Sequence, residues 1–380
     1  MARHESLVAE PRAHRFRDAV RELVALHPAP GAWVAATQAA VAVAVLPAVF
    51  TIAGELQQGL LGSFGALIVL YLSDRSRQER AAKLPVLAAV LIAAAILGVF
   101  TGGTLLTSLT VVCAVALVGA FASLAFAVGP PGAIFPVLIV GAAGQLTAPV
   151  ATGSAGMEPS RVILMIMLGA VVGYAAIVLP LLLPRVRERD RQKPTDYRWR
   201  FAFPAEARRI LARLVVAVIA AVVVCAALGL HHVTWVLLAA IGVLQKDSNL
   251  GHSTIRMLQR LVGTTLAISV VALFDVWTPE GLVLVAVVAV LTFGFVALLK
   301  RNLLFALATV TPMALLLASG GSRMQLLAVT DIRVVDTMVG AGIAAAVLGA
   351  VALGRRGSAP RRREQDSVLG VGTRRAQLED

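Results

Sequence analysis

The sequence predicts an all-α integral membrane protein of about twelve transmembrane helices. These fall into two parallel six-helix repeats, with both termini on the cytoplasmic side. Three observations carry this. The 380-residue chain is 58% hydrophobic and only 14% charged, whereas a soluble domain is nearer half apolar and a quarter charged. Its apolar residues come in blocks of roughly 18 to 25, the length a helix needs to cross ~30 Å of hydrocarbon. All but three of its 34 Lys and Arg residues fall on one side of the resulting arrangement. Lipid offers no partner for backbone polar groups, so such blocks read as helices. The alternating ten-residue strands of an outer-membrane barrel are absent.

The elements follow in order. Residues 1–33 carry Arg3, Arg12, Arg15, Arg17 and Arg21. They are too long and too charged for the start of a cleaved signal, and read as a cytoplasmic tail containing the amphipathic run "HRFRDAVRELVAL". Spans are expected at 34–52, 56–72, 84–101, 104–128, 131–148 and 161–183, forming a first membrane repeat (34–183). A basic cytoplasmic linker (184–209) follows. The second repeat (210–353) holds spans at 210–230, 232–245, 258–275, 279–299, 302–319 and 332–353. Residues 354–380 read as a basic, disordered cytoplasmic tail.

With this count, the opposite side holds only Arg161, Arg323 and Arg333. Positively charged loops mark the cytoplasmic side, which places both termini there and the chain in the plasma (inner) membrane. The same asymmetry accounts for the net charge of +13 without nucleic acid as a partner. Lipid is the surrounding partner; homo-oligomerisation is left open. Cys113 and Cys225 both lie in apolar blocks, and no Cys/His cluster suggests a metal. No HExxH, Ser-His-Asp or phosphate-loop pattern occurs. Neither an enzyme nor a cofactor is expected.

The chain repeats itself. "GALIVLYLSDRSRQERAAKLPVLAAVLIAAAILGVF" from Gly65 is similar to "AAIGVLQKDSNLGHSTIRMLQRLVGTTLAISVVALF" from Ala239. Downstream, Pro136 matches Pro312 and Arg161 matches Arg333. Each half has an even number of spans, so the two enter the bilayer in the same orientation.

The stretch "GVLQKDSNLGHSTIRMLQRLVGT" resembles the hallmark of the fusaric acid resistance protein and aromatic acid exporter family. The hallmark is a Trp-bearing span, a polar break, and a basic stretch ending Arg-x-x-Gly-Thr. Here these are Trp235, Gln245, Arg256, Arg260, Gly263 and Thr264. The first half lacks the Arg-x-x-Gly-Thr motif. The family is also similar to plant malate channels. The resemblance implies export of small organic anions, aromatic carboxylates among them, driven by membrane potential or a proton gradient. An organic-anion channel is the alternative, and a non-transporting membrane scaffold a second.

Several residues are candidates for binding or gating. The eighth span is short and ends at Gln245, and paired short spans in two halves point to a transport site. Lys246 and Asp247 then sit at its break, with Asp74 at the matching break in the first half; the plain alternative is a loop of ordinary cytoplasmic charges. Arg256 and Arg260 share a helical face, and Ser253 is a candidate N-cap. An arginine grips a carboxylate with two hydrogen bonds; otherwise both arginines anchor headgroups. Pro136 and Pro312, expected mid-span, are candidate helix breaks or packing kinks. Arg333 and Asp336, spaced i, i+3, form a candidate pair, with Asp336 the candidate proton-coupling carboxylate. His231 and His232 read as an interfacial cap. Trp33, Trp235 and Trp277 suit an interfacial belt. Gly169, Gly173, Gly340 and Ala344 suit helix packing.

Overall fold

A computed structural model describes residues 21, 23–147, 156–229, 233–245, 250–277, 279–319 and 334–353. Among them every regular element is a helix. The first half runs α1 (Ala32–Ile52), α2 (Leu56–Ala66, prolonged by a 3-10 turn, Leu67–Leu70), α3 (Arg77–Thr101), α4 (Leu105–Ala125), α5 (Ile134–Thr147) and α6 (Pro159–Val178). A short helix, α7 (Pro184–Arg191), lies in the linker. The second half runs α8 (Ala205–Leu228), α9 (Val233–Leu244), α10 (Leu250–Val276), α11 (Gly281–Leu299), α12 (Leu303–Ala318) and α13 (Val334–Leu353).

A helix stands at each of the twelve expected spans, but they are of two kinds. Eight are long and apolar enough to cross a membrane: α1, α3, α4, α6, α8, α10, α11 and α13. The other four, α2, α5, α9 and α12, are shorter apolar helices. The order long, short, long, long, short, long is the same in both halves. At ~1.5 Å per residue the 12-residue α9 is only about 18 Å long.

The short helices form the middle of the molecule. Every residue from Gly59 to Leu72 is buried, and so is every residue of α9 except Gly242. The long helices keep most of their residues out of the interior and turn Val41, Val45, Val90, Val118, Val171 and Val223 outward. Such outward apolar faces suit hydrocarbon rather than water.

Helix pairings recur between the halves. α2 packs on α6, where Gly62 and Gly65 meet the backbone of Gly169 and Ile166. α9 packs on α13, where Gly340 meets the carbonyl of Val236. α3 crosses α5 through Gly98 and Gly102, and α10 crosses α12 through Gly263. Only glycine permits such close backbone approach. α1 packs on α11 and α8 on α4, so each half's first helix leans on the other half's fourth. In the centre α5 meets α9 and α12 meets α2.

Several expectations change. α3 and α10 begin at Arg77 and Leu250, about two turns before the apolar spans expected at 84 and 258. The polar start of α3 is tied down: Ser76 Oγ accepts from Glu79 N (3.2 Å), and the Asp190 carboxylate accepts from Arg77 N and Gln78 N (both 2.9 Å). Ser253 therefore lies inside α10 and is not its N-cap. Pro136 is the third residue of α5, where its missing N–H would have no intrahelical partner anyway; it is no break. Pro312 does sit mid-helix in α12. Trp235 is buried, unlike the exposed Trp33 and Trp277, because α9 is enclosed; it belongs to the core, not to a belt.

Candidate functional site

One end of the bundle gathers the charged segments. Asp74, after α2, pairs with Lys300, after α11. The linker docks on the start of α3: Asp196 N donates to Glu79 Oε2 (3.3 Å), and Asp190 caps the helix. The N-terminal segment docks on α10 and on the start of α12. There Gln259 Nε2 donates to Leu23 O (3.2 Å) and Asn302 Nδ2 to Leu23 O and Ala25 O (2.9 and 3.0 Å). His27 N donates to Arg301 O (3.0 Å). This is the basic end. Both short helices α2 and α9 finish here.

The two finishes converge. Tyr71 Oη, just past α2, donates to Gly132 O (2.8 Å). Gln245 Oε1, just past α9, accepts from Ala133 N (3.4 Å). Gly132 has φ 60°, and the Gln245 side chain fills the space a Cβ would need there. The turn before α5 is thus held by both halves, with glycine required for conformation and room.

Arg260 is three turns into α10, and its guanidinium packs on Gly242 near the end of α9. A side chain at 242 would collide with it. Arg260 Nε is buried and has no hydrogen-bond partner. A helical side chain leans towards its own N-terminus, which aims this cation at the basic end from inside the bundle. Burying a guanidinium with an unused donor is costly, and an incoming carboxylate would meet that donor.

The remaining candidates are placed as follows. Arg256 sits one turn before Arg260, half-buried and engaged by a partner. Asp74 is on the exposed loop and meets Lys300. Asp336 is 1% exposed in the first turn of α13 and is engaged. Lys246, Asp247, Arg333, His231 and His232 lie outside the described residues, as do residues 14–20 and 22 of the amphipathic run in the tail. Gly169, Gly173 and Gly340 meet neighbouring backbones, which is the packing role.

Sequence reading missed a second charged cluster, at the start of α3. Glu79 is fully buried, binding Lys83 Nζ at 2.7 Å. Lys83 also lies 5.2 Å over the Trp199 ring, a cation–π contact. Arg80 is 5% exposed and donates one Nη to Val69 O, while its Nε has no hydrogen-bond partner. The signal was present as "RQERAAK", an i, i+4 Glu–Lys pair with an arginine between, but it reads equally as loop charge. In the linker, Arg198 N donates to the Asp196 carboxylate (3.1 Å), which, with Arg200 nearby, holds that group below the usual carboxylate range.

At the opposite end of α2 a small, mostly apolar cavity is lined by Gln57, Leu61 and Phe64 of α2, Leu146 of α5, Met157, and Leu317 and Ala318. It joins the two halves through α2 and α12.

Residues 206–347 match the family described as fusaric acid resistance protein-like. The match runs from α8 into α13 and contains Trp235, Gln245, Arg256, Arg260, Gly263 and Thr264, so the resemblance read from these residues holds. No curated protein and no solved structure matches the chain. With its long apolar helices, the chain is a multi-pass membrane protein of transporter-like kind.

Proposed function

We propose that this protein carries small organic anions, aromatic carboxylates among them, out of the cell along the column of short helices. The observation that carries the reading is Arg260, a cation inside the bundle with a buried, unused donor beside the end of α9. The guanidinium offers a carboxylate two parallel hydrogen bonds.

In this reading all twelve helices cross the bilayer as two parallel pseudo-repeats. Short helices suffice in the centre because they meet protein rather than lipid, and their ends stop short of the surface, opening a vestibule at each side. The matching order of long and short helices and the exchanged α1–α11 and α8–α4 pairings support the repeat. The clustering of the N-terminal segment, the linker and the Asp74 and Lys300 loops at one end supports a cytoplasmic basic end, with the protein in the plasma membrane and the chemistry one of passage, not of catalysis. An inside-negative potential drives a monovalent anion outward by ~2.3 kcal/mol per 100 mV.

The test is flux in proteoliposomes loaded with labelled benzoate, with a potassium-diffusion potential imposed. Saturable, potential-dependent efflux is expected. Efflux that never saturates would make the protein a channel. Flux equal to that of protein-free vesicles, for benzoate and for malate, would leave a scaffold.

A further inference from the structure

Outside the family motif, Arg80 and Arg301 each have a buried Nε without a hydrogen-bond partner, and of these two Arg80 alone is buried as a whole residue. We propose that Arg80 forms a second organic-anion site, the first-half counterpart of Arg260. The proposal rests on the anion-transport reading above and extends it to a half of the chain in which the Arg-x-x-Gly-Thr motif is missing.

Four observations carry it. First, Arg80 is 5% exposed and its Nε has no hydrogen-bond partner, the same condition as Arg260 Nε. Second, both guanidinium groups rest on the last turn of a short central helix: Arg80 donates to Val69 O, and Arg260 packs on Gly242. In the repeat Val69 lies opposite Val243, the neighbour of Gly242.

Third, Leu23 and Asp196 are the arm residues that cross to the opposite half. Gln259, immediately before Arg260, holds Leu23 O; Glu79, immediately before Arg80, holds Asp196 N. Each arginine therefore touches its own short helix and directly follows the residue that holds the arm. Fourth, the carboxylates near Arg80 are taken. Glu79 binds Lys83, Arg75 and Asp196 N, and Asp190 binds the backbone of Arg77 and Gln78. No ion pair of Arg80 occurs among the described residues. Asp190 and Asp74 act on Arg80 only from beyond ion-pair distance, a buried cation without a direct partner is costly, and a carboxylate bound to Nε and a free Nη supplies one.

The arginines are not aligned in sequence. In the repeat, Arg80 lies opposite Thr254 and Arg260 opposite Val86. The correspondence is spatial: Arg80 starts from the first turn of α3, whereas Arg260 leans back from deeper in α10.

The experiment is calorimetric titration of detergent-purified full-length protein with benzoate, and separately with malate. Wild type, Arg80→Gln, Arg260→Gln and the double variant are compared. Glutamine keeps a donor for Val69 O but removes the charge, and thermal melts check that each variant is folded. Wild type is expected to bind two anions per chain, each single variant one, and the double variant none. Arg80→Lys keeps the charge and loses the fork; its first-half site should weaken about ten-fold. One anion per chain in wild type, abolished by Arg260→Gln and unchanged by Arg80→Gln and Arg80→Lys, would make Arg80 a cap on the α2 carbonyl and overturn the proposal while sparing the transport reading. Binding of neither probe by wild type would overturn both. If Arg80→Gln fails to fold, Arg80→Lys decides by the same affinity readout.

Discussion

The inner helix Val233–Leu244 and the outer helix Leu105–Ala125 are much alike as strings of letters. One reads "VTWVLLAAIGVL", the other "LLTSLTVVCAVALVGAFASLA". Yet the inner one buries every residue but Gly242, while the outer one buries Val112, Ala116, Ala120 and Ala125. The first three are four apart, a single stripe along one face. Both helices avoid water, which is all that hydropathy measures. Only the inner helix must fit protein on every side, so its constraints are those of close packing. The outer helix needs shape on one stripe and greasiness elsewhere.

The comparison is tested hardest at the crossings of α6 on α2. Gly169 faces the carbonyl of Gly62 with no room for a Cβ. Gly169→Leu forces two backbones apart and is expected to abolish folded protein, read as loss of the monodisperse peak in detergent. A folded, active variant would mean that α2 is not fixed against its wrapping helix.

Next in size is Leu237→Ala in α9, at 0% exposure. Truncating a fully packed leucine typically costs about 2–5 kcal/mol, so a marked drop in apparent Tm is expected. A drop no larger than that of a lipid-facing substitution would show that α9 lines open space along its whole length.

Much of this architecture was legible and one layer was not. All twelve helices stood out because lipid-soluble blocks are bounded by charge, Gly and Pro. The division into inner and outer helices showed only as length, in the short spans ending at Leu72 and Gln245. The start of α3 was misjudged because hydropathy falls where Arg77, Glu79, Arg80 and Lys83 begin, whereas the helix continues through them on caps from Ser76 and Asp190. Asp190 is over a hundred residues away in sequence, so no local reading finds it. That error turned Arg80 from a buried helical residue into a loop charge. Arg260 was found because a motif marked it, not because its burial was visible.

Asp190→Ala sharpens this point. It strips the linker's cap from two N–H groups of α3, each of them a charge-assisted bond. Loss of a capping carboxylate costs about 0.5–2 kcal/mol, so apparent Tm should fall by less than in Leu237→Ala. Amide exchange should rise at Arg77 and Gln78 and not at the caps of α4 or α12. An unchanged melt would detach the linker from the stability of the first half.

Arg260→Lys is comparable in energy but is read in function. Lysine keeps the charge and loses the two-point grip, a change of about 1–2 kcal/mol, or roughly ten-fold in affinity. The half-saturating concentration for benzoate efflux should rise by that factor with expression unchanged. An unaltered value would make Arg260 a headgroup anchor. Lys246→Arg, beside water in the same reading, should do less.

The smallest effect belongs to the outer face, and it is the one that can expose a hidden partner. Val118 of α4 is 66% exposed, on the face away from the Val112, Ala116 and Ala120 stripe. In a bilayer that side chain touches acyl chains, so trimming it to alanine leaves no cavity in protein and removes no packed contact. Alanine is also the better helix former, by under ~1 kcal/mol. Val118→Ala should therefore leave apparent Tm and flux within error of wild type, both in detergent and after reconstitution. The informative failure is selective. A loss of stability that appears at high protein density in vesicles and vanishes on dilution in detergent would mean that α4 meets a second copy of the chain. The outer face would then be an interface, and its apolar residues would carry the same packing demands as the core.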